Sequence, residues 1–85
     1  MKIIYSSCFW RLYKKCPNHV QKLFQEKEKI FLIDPFHPVL KTHKLHGALK
    51  KYWAFSITPD YRVILKIEKE EIYLFYKIGS HTVYK

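Results

Sequence analysis

The sequence is short of acid, of glycine and of long apolar runs. Only 7 of its 85 residues are Asp or Glu, against 16 Lys and Arg, which leaves a formal charge of +9 with histidines neutral. That deficit points to a polyanionic partner: nucleic acid, an anionic membrane surface or an acidic protein. The two glycines exclude a Gly-rich linker and a collagen-like repeat. No apolar run approaches the ~18 residues that span a bilayer, so no transmembrane helix is expected. The first residues, Met1 to Ser7, lack a long apolar stretch and a small-residue cleavage site, so no signal peptide is expected either. There are two cysteines, Cys8 and Cys16. Both fall in a stretch that reads as helical, where eight residues separate them by about 12 Å, too far for a disulfide. Two unpaired thiols suit a reducing cytoplasm, and both read as small buried hydrophobes.

What is abundant is aromatic. With 2 Trp, 7 Tyr and 6 Phe, and 48% hydrophobic residues overall, the chain cannot be a disordered basic tail. Its length fits a single domain, residues 1–85. A domain of this size buries roughly 60–65% of its unfolded surface, and the rings make up the shortfall in apolar area.

Lys2 to Tyr5 reads as a strand. Ser6 or Ser7 can cap a helix in which Phe9, Leu12, Tyr13 and Cys16 share one face. Pro17 ends that helix and opens a second, running to Ile33, with Val20, Leu23, Phe24, Ile30 and Phe31 inward. The Lys27 stem closes that stripe, and Gln21, Gln25, Glu26 and Glu28 sit on the wet face. Asp34-Pro35 stops the helix. Residues 36–46 read as an extended loop. Three strands follow, Tyr52–Thr58, Tyr61–Glu68 and Ile72–Ile78, with turns at Pro59-Asp60 and Lys69-Glu70-Glu71 and Gly79 as the stop. Short turns imply an antiparallel meander. The expected fold is a small α+β domain in the order β-α-α-β-β-β, an antiparallel sheet carrying an α-hairpin on one face.

The sequence lacks Gly-rich phosphate loops and the Gly-x-Ser-x-Gly element, so nucleotide-binding and serine-hydrolase readings have no support. His43 and His46 form a His-x-x-His pair, but no cysteine or second histidine pair stands at metal-finger spacing, and no metal or other cofactor is expected. The informative residues lie at strand ends. The meander topology brings the turn at Asp60 and Arg62 to the same end as His81, with Lys41, Lys44, Lys50 and Lys51 nearby. RNA cleavage without metal needs such a kit. A base takes the proton of the ribose 2′-OH, an acid protonates the leaving 5′-oxygen, and a cation stabilises the phosphorane-like transition state. Histidine serves as acid or base near neutral pH, and Arg62 is suited to grip phosphate. Tyr52, Tyr61 or Tyr84 can stack a splayed base.

Several runs together resemble the RelE/YafQ-type toxins of bacterial type II toxin–antitoxin systems. They are Leu40-Lys41-Thr42-His43-Lys44-Leu45-His46-Gly47, Tyr52-Trp53-Ala54-Phe55-Ser56, Asp60-Tyr61-Arg62-Val63-Ile64, Ile78-Gly79-Ser80-His81 and Tyr84, with Lys14-Lys15-Cys16-Pro17 and Asp34-Pro35-Phe36-His37-Pro38 in support. The resemblance covers essentially the whole chain. It implies a cytoplasmic, ribosome-dependent mRNA endoribonuclease that docks on ribosomal RNA in the ribosomal A site and cuts the message there without metal. It also implies a cognate antitoxin: the toxin is a monomer when free and a hetero-oligomer when neutralised.

The resemblance also implies roles. His81 takes the place of the general acid, Arg62 that of the phosphate-stabilising arginine, and Asp60 that of the catalytic aspartate in the turn. His43 matches the histidine before the Leu-x-Gly element, and Tyr84 the C-terminal aromatic that orders the substrate base. Lys41, Lys44, His46, Lys50, Lys51 and Tyr61 are the expected RNA-binding residues. The chain departs from the YafQ pattern at Ser56, where that branch has a histidine, and in the spacing of Tyr84 from His81. His43 is the first choice of general base and Asp60 the second. Two other functions compete: a ParE-like inhibitor of DNA gyrase, and a nucleic-acid-binding module without catalysis.

Overall fold

The computed structural model describes residues 1–80 of the chain. The elements are β1 (Lys2–Tyr5), α1 (Ser7–Lys15), α2 (Asn18–Ile33), a 3-10 turn at Pro38–Leu40, β2 (His43–Lys44), a second 3-10 turn at Gly47–Leu49, β3 (Trp53–Ser56), β4 (Tyr61–Lys69) and β5 (Ile72–Ser80). The strands form one five-stranded sheet in the order β1-β5-β4-β3-β2. The α+β class and the order of the main elements are those expected. Two differences stand out. β1 lies parallel to β5, so the sheet is mixed, and the two-residue β2 extends it antiparallel to β3. A parallel neighbour needs a long crossover, which the helices and the meander between β1 and β5 supply.

α1 begins where the Ser6 hydroxyl accepts a hydrogen bond from Phe9 N at 2.9 Å. The same hydroxyl donates to the Tyr76 carbonyl of β5 at 2.6 Å, which ties the helix start to the sheet. Pro17 stands just before α2 rather than inside it, and its carbonyl accepts from Val20 N and Gln21 N at 3.0 and 3.1 Å. The two helices form the expected hairpin. Phe24 of α2 meets Phe9 and Tyr13 of α1 with ring centroids 5.4 and 5.6 Å apart. Two residues placed on the wet face turn out to be structural. The Gln21 amide donates to the carbonyls of Tyr13 and Cys16 at 2.9 and 3.2 Å, closing orphan groups at the end of α1. Glu28 accepts a hydrogen bond from the half-buried Tyr5 hydroxyl. Burial, and then the Glu28 carboxylate, push the Tyr5 phenol well above its ordinary pKa of 10.0.

Helices cover one face of the sheet. Phe9, Val20, Phe24, Phe31, Phe55, Val63, Leu65, Phe75 and Ile78 are buried there. Phe75 is the hub: its ring lies 5.2–6.2 Å from those of Tyr5, Phe9, Phe24, Phe31 and Phe55. Cys16 is buried as expected, while Cys8 is half-buried with its sulfur 3.3 Å from Arg11 Nη2; both thiols are free. β5 extends past Ile78, and Gly79, expected as the stop, is paired with Arg62 inside the ladder. No helix among the described residues is long and apolar enough to cross a membrane.

Candidate active site on the open face of the sheet

The strand register sorts the side chains. Phe55 pairs with Val63 and Trp53 with Leu65, and all four turn toward the helices. The residues between them therefore face outward. Ala54 pairs with Ile64, and Ile64 with Lys77, while His43 of β2 pairs with Ala54. This gives an outward row His43–Ala54–Ile64–Lys77. The next row is Ser56–Arg62–Gly79. Gly79 presents no side chain beside Arg62.

His43 and Arg62 line one open cleft of about 780 Å³, together with Lys44, Leu45, His46, Ala48, Leu49 and Pro59. Gly47 leads into the Ala48-Leu49 wall. It starts the second 3-10 turn at φ +67°, a left-handed conformation that a side chain resists, and the turn folds Ala48 and Leu49 back over the site. Lys41 is also left-handed, at φ 52°, just beyond the first 3-10 turn. That conformation sets its carbonyl 2.9 Å from His43 Nδ1. A carbonyl only accepts, so the hydrogen in this bond sits on Nδ1. In the neutral ring Nε2 then carries the lone pair and is free to take a proton.

A second cleft of about 640 Å³ continues from the first through Lys44, Leu45 and His46, and adds Lys50, Lys51 and Lys66 over Trp53 and Ile67. Lys41 lies apart from both and lines a smaller cleft with Lys27, Ser56 and Pro59. Of the expected RNA-binding residues, Lys44, His46, Lys50 and Lys51 therefore share one basic trough, to which Lys66 adds a cation that sequence alone did not suggest. Tyr61 is placed differently: it is half-buried and packs against the helix-side core. Strand alternation gives the reason, since Tyr61 stands next to the outward Arg62.

Asp60 is exposed at the turn and is not among the residues of the cleft. The turn is held by Thr58, whose hydroxyl accepts from Asp60 N at 3.2 Å and Tyr61 N at 3.0 Å. Thr58 was not foreseen, although a hydroxyl residue before Pro-Asp is a turn signal. Glu68 and Glu71 stand at the other end of the sheet from Arg62. Glu68 lies 3.7 Å from Lys66, and Glu71 lies 3.4 Å from the N-terminal amine. His81 and Tyr84 lie outside the described residues. Ser80, the last described residue of β5, pairs with Tyr61 at the start of β4. Among the described residues no group of three His, Cys, Asp or Glu is arranged to hold a metal ion.

The sequence matches no family model and no curated protein. Solved structures do match. YafQ from E. coli superposes with a TM-score of 0.77 at 24% identity, over 98% of this chain and 96% of that one. A YoeB/ParE toxin from Agrobacterium tumefaciens gives 0.77 at 18% identity, over 95% of this chain and 99% of that one. YafQ in the E. coli DinJ-YafQ toxin-antitoxin complex gives 0.71 at 26% identity, over 96% and 93%. From end to end of its described residues, the chain has the fold of the YafQ and YoeB toxins of type II toxin–antitoxin systems.

Proposed function

We propose that this protein is the toxin of a type II toxin–antitoxin system and an endoribonuclease that cuts mRNA on the ribosome. The observation that carries the reading is the pairing of His43, with its Nε2 left open, and Arg62 in one cleft at the head of a lysine trough. The shared fold supports it. So does the basic charge, which suits ribosomal RNA and a neutralising partner alike; one of the matched structures is itself a toxin–antitoxin complex.

In this reading His43 Nε2 takes the proton of a ribose 2′-OH. The 2′-oxygen attacks phosphorus, and Arg62 stabilises the charge that builds on the non-bridging oxygens. The bond from phosphorus to the 5′-oxygen breaks, and His81 gives that oxygen its proton. The products are a 2′,3′-cyclic phosphate and a 5′-hydroxyl. Asp60, at the neighbouring turn, is the second candidate for the base, and Tyr84 is assigned to order the substrate base. No metal enters these steps. Lys44, His46, Lys50 and Lys51 hold the phosphates of message and ribosomal RNA, Lys41 adds charge at the neighbouring cleft, and the cell compartment is the cytoplasm.

The test is primer extension on mRNA from cells expressing the chain without its antitoxin. Wild type is expected to arrest growth and give discrete cleavage ends. Arg62→Ala is expected to lose on the order of 100-fold in cleavage rate on purified ribosomes while melting normally. His81→Ala and His43→Ala are expected to fall in the same direction. Cleavage equal to wild type in Arg62→Ala would overturn the mechanism. Growth arrest without cleavage, together with impaired DNA supercoiling, would favour the gyrase-inhibitor reading instead.

A further inference from the structure

Among the described residues, two tyrosines stand outside the helix-side core. Tyr52, just before β3, and Tyr76 of β5 stack on each other with centroids 5.3 Å apart and planes at 24°. β4 runs between the strands that carry them, so the pair bridges the open face across β4. Ile64, outward on β4, is only 1% exposed. Lys77 Nζ sits over the Tyr76 ring, 5.1 Å from its centroid. Tyr76 is thus occupied by Tyr52 and by a cation. Tyr52 is half-buried, supported by Tyr76 and held at its backbone between β2 and the second 3-10 turn: its carbonyl accepts from Leu45 N at 3.0 Å and its N–H donates to Leu49 O at 2.9 Å. Leu45 and Leu49 both line the cleft that holds His43 and Arg62.

We propose that Tyr52 is a base-stacking residue: an unpaired nucleobase of the RNA strand stacks on its ring and extends the Lys77–Tyr76–Tyr52 series, while the strand's backbone continues toward Arg62. Tyr76 is its positioning residue. This rests on the ribonuclease reading above. The physical case has three parts. An aromatic face on an open sheet is a general stacking site for single-stranded RNA, because every base has a π-face. Tyr52 precedes Trp53, the partner of Leu65, and so stands level with Lys66, four residues along β4 from Arg62, about 13 Å. The surrounding charge favours a polyanion: Arg62, Lys77, Lys66 and His43 face the same side, and the acid on this face, Glu68, lies against Lys66 at the far end.

The experiment uses the full chain and a short single-stranded RNA carrying one 2-aminopurine, whose fluorescence is quenched by stacking. A matched RNA has an abasic site at that position. Wild type and Tyr52→Phe are expected to quench the probe and bind with similar affinity. Tyr52→Leu, which keeps an apolar side chain but no ring, is expected to bind about tenfold more weakly with most of the quenching lost. The abasic RNA is expected to bind wild type about tenfold more weakly than the intact RNA and to bind Tyr52→Leu as the intact RNA does. Lys50→Ala is expected to weaken binding while leaving the quenching at saturation intact. Intact-RNA affinity and quenching unchanged in Tyr52→Leu would overturn the stacking role alone. Failure of wild type to bind either RNA at low salt would also overturn the stacking role, while the ribonuclease reading stands or falls separately on cleavage by purified ribosomes.

Discussion

The two faces of the sheet are built from alternate residues of the same strands and behave as different materials. The helix side is dry and aromatic, centred on Phe75, and holds no buried polar or charged side chain among the described residues. The open side carries His43, Ser56, Arg62, Lys66 and Lys77, with the buried apolar pair Ala54 and Ile64 and the stacked Tyr52 and Tyr76 among them. Within β4, Val63 holds the core while its neighbour Arg62 lines the cleft. Stability and the proposed chemistry are therefore separable by a single step along one strand.

Three substitutions test that separation, in falling order of effect. Phe75→Ala removes the hub of the helix side and is expected to cost about 3–5 kcal/mol, enough to unfold much of a small domain. Chemical denaturation followed by circular dichroism measures it. A loss as small as that from a change at the outward Lys77 would erase the contrast between the faces. Ser6→Ala removes a helix cap and the hydroxyl bond to the Tyr76 carbonyl together, and is expected to cost about 1–2 kcal/mol. The same denaturation measures it, and the cost belongs to the helix side alone, so cleavage per folded molecule should stay at the wild-type level. The smallest effect is at Tyr5. Its phenol is held neutral in the fold, so its folded pKa lies above the unfolded value of 10.0. The folded state then binds more protons than the unfolded state above about pH 10, and stability falls as pH rises through that region. Tyr5→Phe should show a shallower loss between pH 9 and 11 in parallel melts, since it lacks this group while keeping the lysines.

Local patterns in the sequence carried most of the helix side. The period of Phe9, Leu12, Tyr13 and Cys16, the proline stops and the alternation of β4 each follow from a few neighbouring residues. What escaped depends on contacts distant in sequence. β2 is two residues long and exists only because β3 offers an open edge. Glu28 looks solvated until Tyr5, 23 residues away, is laid against it. Gly79 looks like a stop, yet serves as the flat place beside Arg62. Of the residues that type and resemblance single out as candidates, His43, Arg62, Lys44, His46, Lys50 and Lys51 line a continuous trough. Asp60 stands outside the cleft because it occupies the turn, not a strand. The Tyr52–Tyr76 pair was not readable as a pair, because the strand between them separates the two in sequence.

The bulge in β5 has a consequence of its own. Register shifts between Ile64 and Leu65 of β4, where Leu65 pairs with Phe75 and Ile64 with Lys77, so Tyr76 is the extra residue. A β-strand has a reading frame of two, and Tyr76 is a one-residue frameshift within it. Upstream, the frame puts Tyr73 and Phe75 inside. Downstream, it puts Ile78 inside and Lys77 out. Were the same residues forced into a regular ladder with no bulge, Tyr76 would take the outward place and the Lys77 ammonium would point into the aromatic core. The insertion that looks like an irregularity is what lets one continuous strand serve an oily face along its whole length while releasing a cation to the other.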